Sequence, residues 1–170
     1  MSGPPGVDPP ESAEFPPVGG SQPAPSEPGY FVRAKASGYM PDAEERQNAL
    51  FAHLLGAIAD LLCCGVLGAP MPLLVLLMTK RRTAFELFHI YHSVLFQLVL
   101  LGFLLASWGI AAVLPALGVI LSFVLYWISG LAVFAALVYA IVVGLGANRG
   151  LWRGYVWIDK WVAKLPRILT

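Results

Sequence analysis

From Ala49 to Ala147 the chain is almost continuously apolar, and only prolines and one cluster of cations divide it. Ala49 to Leu67 is the first apolar run, about the ~20 residues that a helix needs to cross a bilayer. Its helix has a readable start. Asp42 follows Pro41 and precedes Glu45 by three positions, the spacing of a capping box. Pro70 and Pro72 break the pattern, and the apolar run after them is short before Lys80, Arg81 and Arg82 stop it. Residues 70–79 can therefore span the membrane, re-enter it, or return as the limb of a thin hairpin. Thr83 to Leu114 is the next helical stretch, closed by Pro115, and Ala116 to Ala147 is the last and most apolar. The pattern predicts an all-α, integral membrane helical bundle of three to four hydrophobic segments, the second one short.

The flanks read differently. Residues 1–41 hold ten prolines and six glycines with few large apolar side chains. Such a stretch cannot bury enough surface to offset its ordering entropy. It is expected to be a disordered, proline-rich cytoplasmic tail, a solvated tether with weak scope as a ligand for proline-binding domains. Residues 42–147 form the transmembrane helical domain. Residues 148–170 are expected to be a basic amphipathic segment, with a short helix on the membrane surface. Ile158, Trp161, Val162 and Leu165 share a helical face there, and Trp152, Trp157, Lys160, Trp161 and Lys164 are its candidate interface residues.

Composition agrees with the pattern. Hydrophobic residues make up 58% of the chain and charged ones 12%, with a mean hydropathy of +0.71. That leaves too little polar surface for a soluble globule. The net charge of +1, without basic runs interleaved with aromatics, gives no case for a nucleic-acid partner. Cys63 and Cys64 are adjacent in an apolar pattern and read as small buried hydrophobes. No signal-peptide core is visible in the first forty residues. Cations flank the first helix, follow the short segment and follow the last, whereas the stretches around Cys63–Pro72 and Trp108–Leu121 have none. The positive-inside rule then places both termini in the cytoplasm and favours an even number of crossings.

Four small residues, Ala132, Ala136, Ala140 and Gly144, recur at four-residue steps on the last helix. A ridge of this kind lets helices approach closely in lipid. It is expected to pack against a helix of the same chain, with a homo-oligomer or another membrane protein as the alternative. The polar residues on the apolar helices are His53, Asp60, Glu86, His89, His92 and Gln97. At about 100° per residue, Glu86, His89, Ser93 and Gln97 fall within an arc of about 80°. Glu86-x-x-His89 has the spacing found in di-iron bundles, but no second such motif accompanies it. Thr83-x-x-Glu86 also reads as a plain capping box. Asp60, His53 and His89 would serve a proton or solute pathway. A structural polar contact across the bundle is the plainer reading, and no metal or other cofactor is expected. Motifs for nucleophilic, phosphate or zinc-hydrolase chemistry are missing, so an enzyme is not expected.

The stretches "ERQNALFAHLLG", "FHIYHSVLFQ" and "ANRG", in this order and spacing, resemble a family of small bacterial membrane proteins of unknown function related to a chloroplast inner-envelope import (Tic-type) subunit. His89, Phe96 and Gln97 match the family's middle motif, approximately H-A-x-x-A-x-N-F-Q, while Leu95 stands where Asn is usual. Ala147, Asn148, Arg149 and Gly150 match an A-N-x-G ending. The resemblance covers Glu45 to about Tyr155 and leaves out the tail. It implies a four-segment domain in a bacterial cytoplasmic membrane, with cytoplasmic termini. It also implies a scaffold or accessory role in membrane or translocation machinery. A small transporter or channel component is the alternative function.

Overall fold

The computed structural model describes residues 30–63, 66–79, 83–113 and 119–162, and every regular element among them is an α-helix. The elements are α1 (Tyr30–Ala36), α2 (Ala43–Leu62), α3 (Pro70–Met78), α4 (Ala84–Val113), α5 (Val119–Asn148) and α6 (Asp159–Val162).

The capping box at the start of α2 closes in both directions. The Glu45 backbone N–H donates to Asp42 Oδ1 at 2.9 Å, and the Asp42 N–H donates to Glu45 Oε2 at 3.1 Å. Tyr39 adds a 2.6 Å hydrogen bond to the other Glu45 oxygen. Helix α4 begins with a looser version, in which Thr83 N–H donates to Glu86 Oε2 at 3.2 Å and Glu86 N–H to Thr83 Oγ1 at 3.4 Å. Both boxes satisfy N–H groups that a helix start leaves without partners.

Cross-helix contacts fix the topology. Asn48 donates to Glu86 at 2.8 Å, and Ser93 Oγ donates to the Ala52 carbonyl at 2.7 Å, so α2 and α4 run parallel. Gly144 of α5 lies against Leu50 and His53, and Ala136 packs with Leu100 and Leu104, so α5 runs antiparallel to both. Helix α3 folds back along α2, where Val75 packs with Ala52 and Ile90. The α2–α3 hairpin is shorter than the α4–α5 pair. Beyond the level at which Gly56 meets Gln97, α2 continues for ~9 Å and α4 for ~24 Å, at 1.5 Å per residue.

Helix α4 changes character partway. Every residue from Ala84 to Ser93 is buried. After that only Gln97, Leu100, Leu104, Ser107 and Ala111 are buried, alternating four- and three-residue steps along one face. Of the buried residues of α5, Ser122 and Ala136 meet this part of α4, whereas Gly144 and Ala147 lie against α2. Small residues dominate this seam, which lets the two backbones come close. Away from it, large apolar side chains such as Leu105, Ile110, Phe123 and Leu131 are exposed. Helices α4 and α5 are each long and apolar enough to cross a membrane.

One segment departs from expectation. The proline-rich tail was expected to be disordered through residue 41, yet Tyr30–Ala36 form α1. Its Phe31 meets Phe88 and Tyr91 edge-on at ring separations of 5.9 and 6.0 Å. The physical reason is local: "YF" is the first aromatic pair after the proline-rich stretch, and burying it offsets the cost of ordering one short helix. Residues 1–29, which hold most of the expected tail, lie outside the described residues. The C-terminal segment is described as far as Val162. Among its described residues Asp159–Val162 are helical, and residues 151–158 turn back into the bundle, where Tyr155 and Ile158 are buried. Lys164 and Leu165 lie outside the described residues, as do Lys80, Arg81 and Arg82.

Candidate functional site

The enclosed end of α4 is surrounded by α1, the first half of α2, the end of α5 and residues 151–162, which form a cap. Within it His53, His89 and His92 are completely buried. They join a continuous line of hydrogen bonds. Tyr155 Oη lies 3.1 Å from His53 Nδ1, His53 Nε2 lies 3.0 Å from His89 Nδ1, and His89 Nε2 lies 3.2 Å from the Leu151 carbonyl.

The end of the line sets its direction. A carbonyl only accepts, so His89 Nε2 carries a hydrogen and donates to Leu151. For neutral rings the rest follows: His89 Nδ1 accepts from His53 Nε2–H, and His53 Nδ1 accepts from the Tyr155 hydroxyl. Burial pushes the Tyr155 phenol up from its ordinary value, so it keeps the proton this arrangement needs. Aromatic packing holds the rings in place. Phe96 stacks on Tyr155 at 4.0 Å with 7° between planes, and Phe85 meets His89 edge-on at 4.6 Å.

His92 makes a separate contact. Its Nδ1 donates to the Phe88 carbonyl at 2.8 Å, and its Nε2 lies 2.7 Å from Asp159 Oδ1, with one proton between them. Asp159 is itself half exposed, so this pair ties the buried cap to its outer surface. The fit is close enough that Gly154 admits no side chain, because a Cβ there would overlap the His92 ring.

Two of the candidate polar residues sit apart, farther along the bundle. Asp60 and Gln97 are buried, and Asp60 Oδ1 and Gln97 Oε1 have no hydrogen-bond partner. The Gly68 N–H and the Gln97 side-chain amide approach the Asp60 carboxyl. A Cβ at Gly68 would overlap that carboxyl, and one at Gly56 would press on the Gln97 amide.

Of the residues singled out from the sequence, His53 and His89 meet directly, His92 pairs elsewhere, and Asp60 and Gln97 form their own spot. Glu86 turns to Thr83 and Asn48 rather than joining the histidines. Among the described residues no group of three or more His, Cys, Asp or Glu side chains is arranged to hold a metal ion. On α5, Ala136, Ala140 and Gly144 are buried within the chain and Ala132 is half-buried. Trp157, Lys160 and Trp161 are exposed, and Trp152 is half-buried against Phe85 and Phe88. Tyr155, Gly154, Asp159 and the Leu151 carbonyl did not stand out as site residues in the sequence. The available signal was the glycine pair Gly150 and Gly154 around a helix break, which marks a chain held close to another element.

Fold and cap together define a small helical membrane protein with a polar, histidine-centred cap at one end. The chain matches the magnetosome magnetite crystal formation protein family over residues 44–162, and it belongs to that family. The match begins at α2 and ends at α6, so it takes in every cap residue except those of α1 and the short stretch that follows it. It carries no link to the chloroplast import subunit that the sequence motifs resemble. Among curated proteins and among solved structures, nothing matches.

Proposed function

We propose that the chain is a non-enzymatic, multi-pass protein of a bacterial membrane that serves as a scaffold or accessory subunit. Its family's name supplies the setting, a membrane system concerned with magnetite crystal formation. A translocation-related setting rests on the sequence resemblance alone. In this reading the cap is the working surface and faces the cytoplasm, because Arg149, Arg153 and Lys160 all lie at that end. Helix α4 enters the hydrocarbon at about residue 94. The stretch from there to Val113 measures about 30 Å, the thickness of a bilayer core.

The observation that carries the reading is the closure of the histidine line. Tyr155, His53 and His89 spend their polar atoms on one another and on Leu151, which suits a latch that fixes the C-terminal segment rather than a group that turns over substrate. Photo-crosslinking from Val156, exposed on the cap, tests it in native membranes. A reproducible membrane-protein partner supports the scaffold. Ion or proton flux in liposomes that disappears in Asp60→Asn, with no partner trapped, replaces it with the transporter reading.

A further inference from the structure

An apolar groove of about 700 Å³ runs along one side of the α4–α5 seam, directly beneath the cap. Val99 and Phe103 form one wall, Ala132 and Ala135 the other, and Trp157 and Trp161 stand at its mouth. The small side chains on α5 give it depth. Trp157 and Trp161 are 79% and 63% exposed, so the indoles border the groove without filling it.

The geometry points to an anionic phospholipid as the occupant, with an acyl chain in the groove and its headgroup beside the C-terminal segment. Length supports this. From Leu95 to Phe103 the groove extends ~12 Å, close to one leaflet's half of a ~30 Å core. A partner helix that crosses the bilayer would need a groove along its whole length. Here the seam closes farther down, where Ser122 Oγ of α5 donates to the Ala111 carbonyl of α4 at 3.3 Å. Charge supports it too. Arg149, Arg153 and Lys160 are exposed at the groove's end of the molecule, while Asp159, next to Lys160 in sequence, is engaged by His92. Lys160 also lies between the two tryptophans in sequence, and indole with ammonium is the pairing that favours the headgroup level.

This inference rests on the reading of α4 and α5 as membrane spans. The test is lipid retention. The full chain is extracted from its native membrane in mild detergent, and bound phospholipid is measured by native mass spectrometry. The expected result is a single retained phospholipid, anionic well beyond the bulk membrane's share. Ala135→Trp, which fills the groove from an exposed position, lowers that retention several-fold. Arg153→Glu combined with Lys160→Glu keeps the lipid but removes the anionic preference. Wild-type protein that retains no lipid overturns the proposal. So does lipid of bulk composition that is indifferent to Ala135→Trp, or efficient disulfide dimers of Ala135→Cys in native membranes, which would put a second copy in the groove. Membrane flotation of each variant separates loss of the lipid site from loss of the membrane-spanning reading.

Discussion

The two parts of α4 are one continuous helix in two different surroundings. From Ala84 to Ser93 it is enclosed on all sides, and His89 and His92 are completely buried there. From Val94 to Val113 it buries one face, and Leu98, Leu105 and Ile110 are exposed. The stretch that carries most polar groups is the protein-buried one, and the stretch that is nearly all apolar is the exposed one. In water that distribution would be inverted. The difference is the one expected of a bundle that meets two surroundings, with protein covering the polar third of the helix and lipid the rest.

Substitutions in the two parts should therefore fail in opposite ways. The largest effect is expected from Gly154→Leu, which drives a side chain into the His92 ring and displaces the C-terminal segment. Overpacking costs about 1–3 kcal/mol and occasionally more, and a side chain built onto a backbone position in contact with a buried ring belongs at the top of that range, read as a lower thermal midpoint in detergent. Leu105→Lys comes next. On a soluble surface such a change is close to neutral, but at a lipid-facing position it costs about 3 kcal/mol of insertion free energy. Membrane-inserted yield should drop, while the same residue changed to Ala leaves it near wild type. Equal yields of Leu105→Lys and Leu105→Ala would show that this surface does not face lipid.

Tyr155→Phe is a finer cut within the cap. It removes one hydroxyl and leaves His53 Nδ1 buried without its donor, worth about 1–2 kcal/mol. A Tyr155→Phe midpoint equal to wild type would mean the histidine line does not hold the segment down. The smallest effect belongs to Leu98→Ala, half exposed on the open part, which should stay within about 0.5 kcal/mol.

Local features of this fold could be read from the sequence. Both capping boxes follow from residues three apart, Asp42 with Glu45 and Thr83 with Glu86, and both form. The apolar lengths of α4 and α5 follow from composition in the same way. The cap was not legible, for a physical reason. His53 finds Tyr155 across 102 residues of sequence, and His89 finds Leu151 across 62, so no spacing rule connects them. The alternation of Trp and Lys in the C-terminal segment gives no sign that Tyr155 and Ile158 are buried in the bundle. Gly150, at φ 77°, ends α5 in a left-handed turn and redirects the chain onto the bundle. The same limit hid α1: Phe31 is ordered by Phe88 and Tyr91, which are far along the chain.

A spin-label accessibility scan along α4 in reconstituted bilayers tests the central claim most directly. Labels at Leu98, Leu105 and Ile110 are predicted to be open to oxygen and closed to a water-soluble relaxant, as lipid contact requires. Labels at Leu87 and Ile90 are predicted to be closed to both, because protein surrounds them. Strong access of the water-soluble relaxant at Leu105 and Ile110 would contradict the account, since the apolar part of α4 would then lie in water and not in lipid.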